Sequence, residues 1–479
     1  MRKVEPEGTR IERDGIGEMR LPEDAYWGIH TSRAVRNFPF SGYRLHPAFI
    51  RAFAQVKQAC ARTNALLGYL TGERGLAVVD ACAEIAGGAL HDQIVVDPFQ
   101  GGAGTSTNMN FNEVIAGRAA ELLGGKRNDR ELVDPIRHVN MHQSTNDVYP
   151  TALRIAVLYL LEDLEDAVSA LQASLQDKEA EFRDVVKVAR TELTDAVPMT
   201  LGMTFSAFAD AIARDRWRIF KCRERLKRVN LGGTAIGTGL GAPRDYIMAA
   251  AGNLAAITGL PVSRAENLVD ATQNTDVFVE VSGMLKAFAA NLLKIASDLR
   301  LLSSGPATGF GEIRLPPLQA GSSIMAGKIN PVMPEAVTQI ALRVMSNDQT
   351  IALASGMGQL ELNHLLPLIA HSLPESLTLL TNGCRGLTTN CIDGIKACTG
   401  ICQKHVEQSA ALATVLVPAL GYSRVERLLA DARAAGRTVA EQVEADGIAP
   451  AETVARLLSP RNLCKLGFSP DEFDEVKLP

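Results

Sequence analysis

The fold is decided by residues 150–175, which read PTALRIAVLYLLEDLEDAVSALQASL. Apolar side chains recur there every three or four residues, which is the spacing of a helix that buries one stripe against other helices. They are Leu153, Val157, Leu160, Leu164, Val168, Leu171 and Leu175. The stretch predicts a long bundle helix that begins at Pro150.

The same spacing returns further along the chain. It is regular from Val277 to Leu299, less regular from Phe205 to Val229, and recognisable from Pro334 to about Met357 and from about Pro367 to Lys396. Five long helices predict one central bundle. Helices of about 30 residues extend about 45 Å, too far for one compact subunit to cover, so their apolar flanks are expected to pack on other subunits.

Alternating strand patterns are nearly absent, with candidates only at Thr9–Glu18 and Ile94–Val96, so the sequence predicts an all-α protein. Short helices are expected near the end of the chain, at Arg424–Ala435 and Thr438–Asp446. Changes in composition divide the chain into a mainly helical amino-terminal domain, a central long-helix domain and a small helical carboxy-terminal domain, at residues 1–143, 144–398 and 399–479.

Composition narrows the class of partner. The 479 residues include 49 Lys and Arg against 54 Asp and Glu, so the net charge of −5 offers no basic surface for nucleic acid or an anionic membrane. The charged stretch Met1–Glu18 has no apolar segment typical of a signal peptide, which predicts a cytoplasmic protein. No run is long and apolar enough for a transmembrane helix. The expected partner is a small molecule.

Metal and nucleotide sites are not indicated. The eight cysteines form no CxxC pair and the eight histidines are dispersed, so no metal site is predicted. The glycine-rich stretch Gly232–Gly239 follows a predicted helix and lacks the Lys-Ser/Thr of a phosphate-binding loop. Nucleotide binding is therefore not expected.

Polar segments interrupt the helical pattern where a core would need apolar residues. They are Gly101–Asn110, Asn140–Asp147, Arg190–Pro198 and Gln319–Pro331. Hydroxyls and amides close to helix starts, as before Pro150 and Pro331, favour a carboxylate or phosphate ligand. For Ser144–Asp147 the simpler interpretation is helix capping, and for Ser322-Ser323 it is a flexible turn.

The last of these segments, Gln319–Pro331, also suggests a catalytic role. Gly321 directly precedes Ser322, and Gly327 directly precedes Lys328. This composition is typical of a mobile loop that closes over an anion. A nearby cation and backbone amides favour the ionised form of a serine, which can then act as a base.

Residues 321–331, GSSIMAGKINP, resemble the signature loop of the aspartase/fumarase superfamily of lyases. The resemblance extends from Asp24–His30 to Asn462-Leu463. Thr105–Asn108, Ser144–Asp147 and the ending Pro331–Glu335 resemble the aspartate ammonia-lyase branch rather than the fumarases.

This resemblance implies an all-α, three-domain subunit whose central helices assemble a homotetramer with a 20-helix core. Each active site would combine segments of three chains and need no metal or organic cofactor. The implied reaction is reversible deamination of L-aspartate to fumarate and ammonia, with Ser322 as the base that removes the Cβ proton and an enediolate intermediate. The implied substrate-binding residues are Thr105, Ser144, Thr145 and Ser323 at the β-carboxylate, Lys328 and Asn330 at the α-carboxylate, and Asn146 and Thr191 around that carboxylate and the amino group.

Departures from the family pattern leave alternatives open. Glu192 stands where the family has His or Gln, a position that pairs with the carboxylate at Glu335. One of two facing carboxyls is expected to stay protonated and imitate Gln; an ionised Glu192 would instead attract a more cationic nitrogen. Ala326 replaces a loop Pro, His142 a Ser, and Leu365-Leu366 a Met-Glu pair.

The alternatives are a related lyase that forms fumarate from an N-modified aspartate or another substituted succinate, a fumarate hydratase, and an inactive scaffold protein.

Overall fold

The computed structural model describes residues 8–70 and 72–473, and helices dominate it. The prediction of an all-α chain is confirmed, with short two-stranded sheets as its only extended structure in the described ranges. The first seven residues of the charged amino-terminal stretch lie outside them. Among the described residues, no helix combines the length and the apolarity that a membrane crossing requires.

The first part of the chain consists of a hairpin and helices of moderate length. Strands β1 (Thr9–Asp14) and β2 (Gly17–Pro22) are antiparallel, as the pattern at Thr9–Glu18 predicted. The strand predicted at Ile94–Val96 is wrong, because the backbone N–H of Val95 donates to the Asn110 side chain (2.8 Å) and not to a neighbouring strand. The helices are α1 (Ile29–Asn37), α2 (Pro47–Leu66), α3 (Gly72–Ala86) and α4 (Thr105–Leu122).

Helix α5 (Thr145–Glu181) has 37 residues, about 55 Å at 1.5 Å per residue. The prediction that Pro150 marks its start is wrong, since Pro150 lies inside the helix. A proline ring leaves the carbonyl four residues earlier without its helical donor. Here that carbonyl belongs to Asn146, and the buried side-chain amide of Asn230 donates to it instead, at 2.9 Å. The helix can therefore begin one turn before the proline.

The other long helices follow the predicted periodicity. Between them lie short helices and paired strands, including an antiparallel hairpin of β3 and β4 that the sequence pattern did not predict. In chain order the elements are β3 (Val186–Thr191), β4 (Thr194–Thr200), α6 (Leu201–Leu226), β5 (Arg228–Val229), α7 (Arg244–Thr258), β6 (Ser263–Arg264), α8 (Leu268–Gln273), α9 (Asp276–Leu302), β7 (Ile313–Arg314), α10 (Val332–Gly356) and α11 (Leu366–Asn390).

The end of the chain is a set of short helices, and both helices predicted there are confirmed. A capping box begins α15, where Thr438 and Glu441 satisfy each other's backbone N–H groups. Val425, Leu428 and Val443 contribute to one apolar cluster. The elements are β8 (Lys396–Ala397), α12 (Thr399–Gln408), α13 (Val417–Leu420), α14 (Tyr422–Ala435), α15 (Val439–Ala445), α16 (Ala451–Leu457) and α17 (Pro460–Leu463).

Contacts between residues group the chain into two compact units. The first comprises residues 1–166, 215–290 and 340–382, and the second comprises residues 167–214, 291–339 and 383–479. The division into domains at 1–143, 144–398 and 399–479 stays a prediction.

Candidate active site

Thr105 begins helix α4 in the first unit. Its hydroxyl donates to the carbonyl of Gly102 at 2.8 Å and its side chain is exposed. Gly104, just before it, has a φ of 93°, and a Cβ there would lie 2.3 Å from the ring of Tyr149 in α5. Only glycine permits this approach, so the start of α4 is fixed against the early turns of α5.

Ser144 and Asp147 cap helix α5. The Ser144 hydroxyl accepts from the N–H of Asn146 at 3.2 Å, and the Asp147 carboxylate accepts from the N–H of Ser144 at 2.9 Å. The capping interpretation is therefore confirmed for these two residues. Thr145 is buried, and the Asn146 side chain donates to the carbonyl of Ala235 at 2.8 Å.

The glycine-rich stretch Gly232–Gly239 binds the carboxylate of Asp147. This buried carboxylate accepts from the backbone N–H groups of Gly232 (3.1 Å) and Thr234 (3.2 Å), so these amides bind a protein carboxylate. A short strand, β5, lies between α6 and this stretch. Burial raises the pKa of Asp147 to about 6, although the donated hydrogen bonds oppose the shift.

Asn140 joins the two polar segments of the first unit. Its side-chain oxygen accepts from Lys57 (3.0 Å), from Asn108 of α4 (3.1 Å) and from Asn112 of α4 (3.1 Å), while Lys57 also donates to Gln143 at 2.8 Å. Burial lowers the pKa of Lys57 to about 8. This cluster was not predicted from the sequence, although Lys57 lies among the buried residues of α2, where a lysine is an unusual choice.

In the second unit, Thr191 and Glu192 lie at the end of the β3–β4 hairpin. Thr191 pairs with Thr194, so Glu192 and Leu193 form the two-residue turn. Their φ angles are 53° and 64°, in the left-handed region that such turns require and that usually favours Asn-Gly. The exposed Glu192 side chain has no hydrogen bond within the described part of the chain.

Residues 321–330 form a loop whose two ends are joined by hydrogen bonds. The N–H of Gly321 donates to the carbonyl of Lys328 at 2.8 Å, and the Asn330 side chain donates to the carbonyl of Gly321 at 2.9 Å. The Ser322 hydroxyl oxygen accepts from two backbone amides, those of Ile324 (3.2 Å) and Met325 (3.0 Å). Donors aimed at this oxygen stabilise its ionised form, as a serine base requires.

The remaining predicted residues lie on or next to this loop. Ser323 and Lys328 are exposed, and Glu335 lies in the first turn of α10. Thr191, Glu192, Ser322, Ser323, Lys328, Asn330 and Glu335 thus belong to the second unit, whereas Thr105, Ser144, Thr145 and Asn146 belong to the first.

Sequence comparison decides the family. Residues 17–346 match a family model described as lyase, and residues 412–465 match one described as fumarase C C-terminus. An aspartate ammonia-lyase of Bacillus subtilis is 46% identical over 466 residues, covering 97% of this chain and 98% of its own. One of Pseudomonas aeruginosa is 47% identical over 458 residues, covering 95% and 97%.

Similar solved structures indicate the same family as the sequence matches. A fumarate lyase:delta crystallin from Brucella melitensis bound to cobalt superimposes with a TM-score of 0.92 at 46% identity, covering 96% of this chain and all of its own. A class II fumarase from Schistosoma mansoni gives 0.90 at 32% identity, covering 95% and 98%. The chain belongs to the aspartase/fumarase superfamily.

Departures from the superfamily pattern fall in different environments. His142 is fixed by a hydrogen-bond contact of its Nδ1 with Asn64 Oδ1 (2.7 Å) and by ring contacts with Tyr69 and Tyr246. Leu366 is buried at the start of α11, whereas Ala326 is exposed in the loop. Glu192, in its exposed turn, is therefore the departure most free to contact a substrate.

The superfamily resemblance also gave no role to Glu312. This fully buried carboxylate lies 2.7 Å from the Arg190 guanidinium and 3.2 Å from the Lys187 ammonium. Both partners lie in β3, more than 120 residues earlier in the chain. Periodicity cannot reveal a pair of that separation. Within the described residues, no group of three or more His, Cys, Asp or Glu side chains is placed to hold a metal ion.

Proposed function

We propose that the protein catalyses the reversible deamination of L-aspartate to fumarate and ammonia. The observation that carries this proposal is its similarity, over nearly the whole chain, to aspartate ammonia-lyases from several bacteria. Those from a Bacillus species, Bacillus subtilis and Pseudomonas aeruginosa are 45–47% identical over 95–97% of this chain. The starts of α4 and α5 and the loop at residues 321–330 carry the hydroxyl and amide donors that a dicarboxylate needs.

In the proposed mechanism, Ser322 removes the proton from Cβ of L-aspartate. The electron pair of the broken C–H bond moves into the β-carboxylate and forms an enediolate. Its collapse forms the Cα–Cβ double bond and breaks the Cα–N bond, which releases ammonia. The two backbone amides at the Ser322 hydroxyl support this assignment, because they stabilise the oxygen anion that takes the proton.

The proposed binding roles follow the charge changes. Thr105, Ser144, Thr145 and Ser323 hold the β-carboxylate, where donors are needed most because negative charge accumulates there. Lys328 and Asn330 bind the α-carboxylate, and Asn146 and Thr191 position that carboxylate and the amino group. Glu335 supports Glu192. Closure of residues 317–330 brings Ser322 to the substrate and excludes water.

The proposed assembly is a homotetramer in the cytoplasm, with each site built from three chains. Large apolar side chains on the long helices support it, because they remain exposed in the single chain. Examples are Trp217 and Phe220 in α6 and Leu342 and Leu353 in α10, which are 63%, 47%, 54% and 58% exposed.

The test is the ultraviolet absorbance of fumarate after L-aspartate is added, with L-malate in parallel. Fumarate from aspartate alone is expected. Ser322→Ala should lower kcat by about 10²–10⁴-fold, the usual contribution of a general base. Ser297→Ala, which removes a hydroxyl that only donates to the Leu293 carbonyl in α9, serves as the control. Fumarate from malate alone would instead indicate a hydratase.

A second candidate substrate is an N-modified aspartate with a larger or more cationic nitrogen group. The exposed Glu192 carboxylate, which has no hydrogen bond within the described ranges, favours it. Glu192→Gln distinguishes the two substrates. Turnover of aspartate should survive this change, whereas turnover that needs a carboxylate opposite a cationic group should be lost. The inactive-scaffold alternative predicts no turnover of any of these compounds.

A further inference from the structure

Glu312 is a buried carboxylate outside the proposed substrate contacts. It has no exposed surface, and its oxygens lie 2.7 Å from Arg190 Nη1, 3.2 Å from Lys187 Nζ and 3.3 Å from His405 Nδ1. A buried charge is tolerated only with partners of this kind, because burial removes its hydration. Lys187 and Arg190 lie three residues apart in β3, on either side of a register shift, and both reach this carboxylate, while His405 reaches it from α12.

The backbone of Glu312 is fixed as firmly as its side chain. Its N–H donates to the carbonyl of Leu302 at the end of α9 (2.9 Å), and its carbonyl accepts from the N–H of Cys398 (2.8 Å) and the thiol of Cys402 (3.6 Å). The next two residues pair with β8. Glu312 is thus a fixed point from which residues 313–320 lead to the loop that carries Ser322.

Arg190 is the other end of the connection. It directly precedes Thr191 and the turn at Glu192 and Leu193, and it follows a register shift in β3. Its guanidinium also lies 4.0 Å from the ring centre of Phe310. Two non-glycine residues in the left-handed region persist only where surrounding contacts hold them. The ion pair with Glu312 supplies such a contact at Arg190, two residues before the turn.

We propose that Glu312 is a positioning residue for the lyase reaction. Through its ion pair with Arg190 it fixes the position of the hairpin turn that carries Thr191 and Glu192. Through its backbone hydrogen bonds it fixes the position of the segment that leads to the Ser322 loop. One buried residue, by its carboxylate and by its backbone, thereby aligns two separate parts of the proposed site. This inference rests on the proposed function. A displacement of about 1 Å at the reacting groups can cost about 10²-fold in rate, so the alignment has a measurable effect.

Glu312→Gln keeps the shape of the side chain and removes its charge. We expect kcat for aspartate to fall by about 10²-fold, with a much smaller change in KM, because the reacting groups are misaligned while most binding contacts remain. Glu181→Gln is the matched control. It also removes a carboxylate from a buried lysine, Lys178 (2.6 Å), and from the exposed Lys396 (3.5 Å), but pairs with neither the turn nor residue 312. Its kcat should stay within about twofold of the unaltered protein.

A purely structural role is separated by the double variant Glu312→Gln/Lys187→Met. Removal of Lys187, which is 4% exposed, eliminates the buried cation that the first change leaves unpaired. The melting temperature should recover while kcat stays low, since Arg190 still lacks its anchor. Recovery of both, or a Glu312→Gln enzyme as active as the Glu181→Gln control, overturns the proposal. If Glu312→Gln does not fold, Glu312→Asp keeps the charge, shortens the side chain and should show the same loss in kcat.

Hydrogen exchange gives a readout that does not depend on the substrate. Amides of residues 190–194 and 313–321 should exchange faster in Glu312→Gln than in Glu181→Gln. If the unaltered protein produces no fumarate from aspartate, the proposed function fails, and faster exchange at both segments still supports the positional role. Unchanged exchange at both segments contradicts the positional role whatever the substrate.

Discussion

Asn230 replaces the helical donor that Pro150 lacks, and this substitution of one hydrogen bond for another can be measured. Asn230 is fully buried, donates to the Asn146 carbonyl (2.9 Å) and to the Thr272 hydroxyl (3.0 Å), and accepts from the Thr151 hydroxyl (3.2 Å). Asn230→Leu keeps the number and branching of the side-chain heavy atoms and removes these bonds. An unpaired carbonyl at a partly buried site costs about 1–3 kcal/mol.

With about 2 kcal/mol as the central value, local opening at the start of α5 becomes about 30-fold more frequent. Amides of residues 148–155 should therefore exchange about 30-fold faster when reclosing outpaces exchange. Asn253→Leu is the control, because Asn253 donates to Thr63 in α2 and to the Ala249 carbonyl of its own helix α7, and neither acceptor lies in α5. It should leave those amides unchanged.

The decisive variant adds Pro150→Ala to Asn230→Leu. Alanine restores an N–H four residues after Asn146, so the helix can satisfy the carbonyl by itself. Exchange should return to within about threefold of its original rate, whereas Pro150→Ala alone has little to repair. If the cycle shows a coupling below about 0.5 kcal/mol, Asn230 does not act by replacing the missing helical donor, and the reasoning is refuted.

Two further predictions concern the first unit. Burial lowers the pKa of Lys57 to about 8 from an unfolded value of 10.5. Between these two pH values the unfolded chain binds more protons than the folded one, so the contribution of Lys57 to the free energy of unfolding rises with pH, by up to about 3 kcal/mol. Melting temperatures of the unaltered protein and of Lys57→Met, compared from pH 7 to about 10, should diverge accordingly; parallel curves contradict the assignment. Gly104→Ala should lower both stability and kcat, because its Cβ would collide with the Tyr149 ring, while Gly124→Ala, with a φ of 78° and open space, should cost only about 1–2 kcal/mol of backbone strain. Equal losses in thermal unfolding and turnover assays would show that the approach to Tyr149 is unimportant.

The long helices were predictable because their signal is local. A buried stripe repeats every three or four residues, so the apolar run Val277–Leu299 by itself gives α9 to within three residues at each end. The hairpin β3–β4 was not predictable in this way. Its turn is Glu192-Leu193, not Asn-Gly, and contacts such as Arg190 with Glu312 stabilise it from distant parts of the chain.

The candidate site was predicted as segments, with capping as the simpler interpretation for Ser144–Asp147, but the sequence did not decide which side chains bond within the protein. Ser144 caps α5, and the Asn330 amide closes its own loop, so both have structural partners that composition did not distinguish from substrate contacts. The supporting groups were harder still. Lys57 bonds to Asn140, 83 residues later, and no pattern within a single helix encodes that pairing.

Three buried charged residues, Lys57, Asp147 and Glu312, bond to segments that carry the proposed site. Lys57 holds Asn140 and Gln143, Asp147 holds the amide of Ser144, and Glu312 holds Arg190 beside Thr191. None of these three charged residues is itself a proposed substrate contact, and each bonds to a proposed contact residue or to a residue near one. Burying a charge has an unfavourable desolvation free energy, but its specific partners leave the bonded segment few alternative positions. Donors that are already in place need little reorganisation when charge develops on the substrate, so changes at these supporting residues should reduce kcat more than they weaken binding.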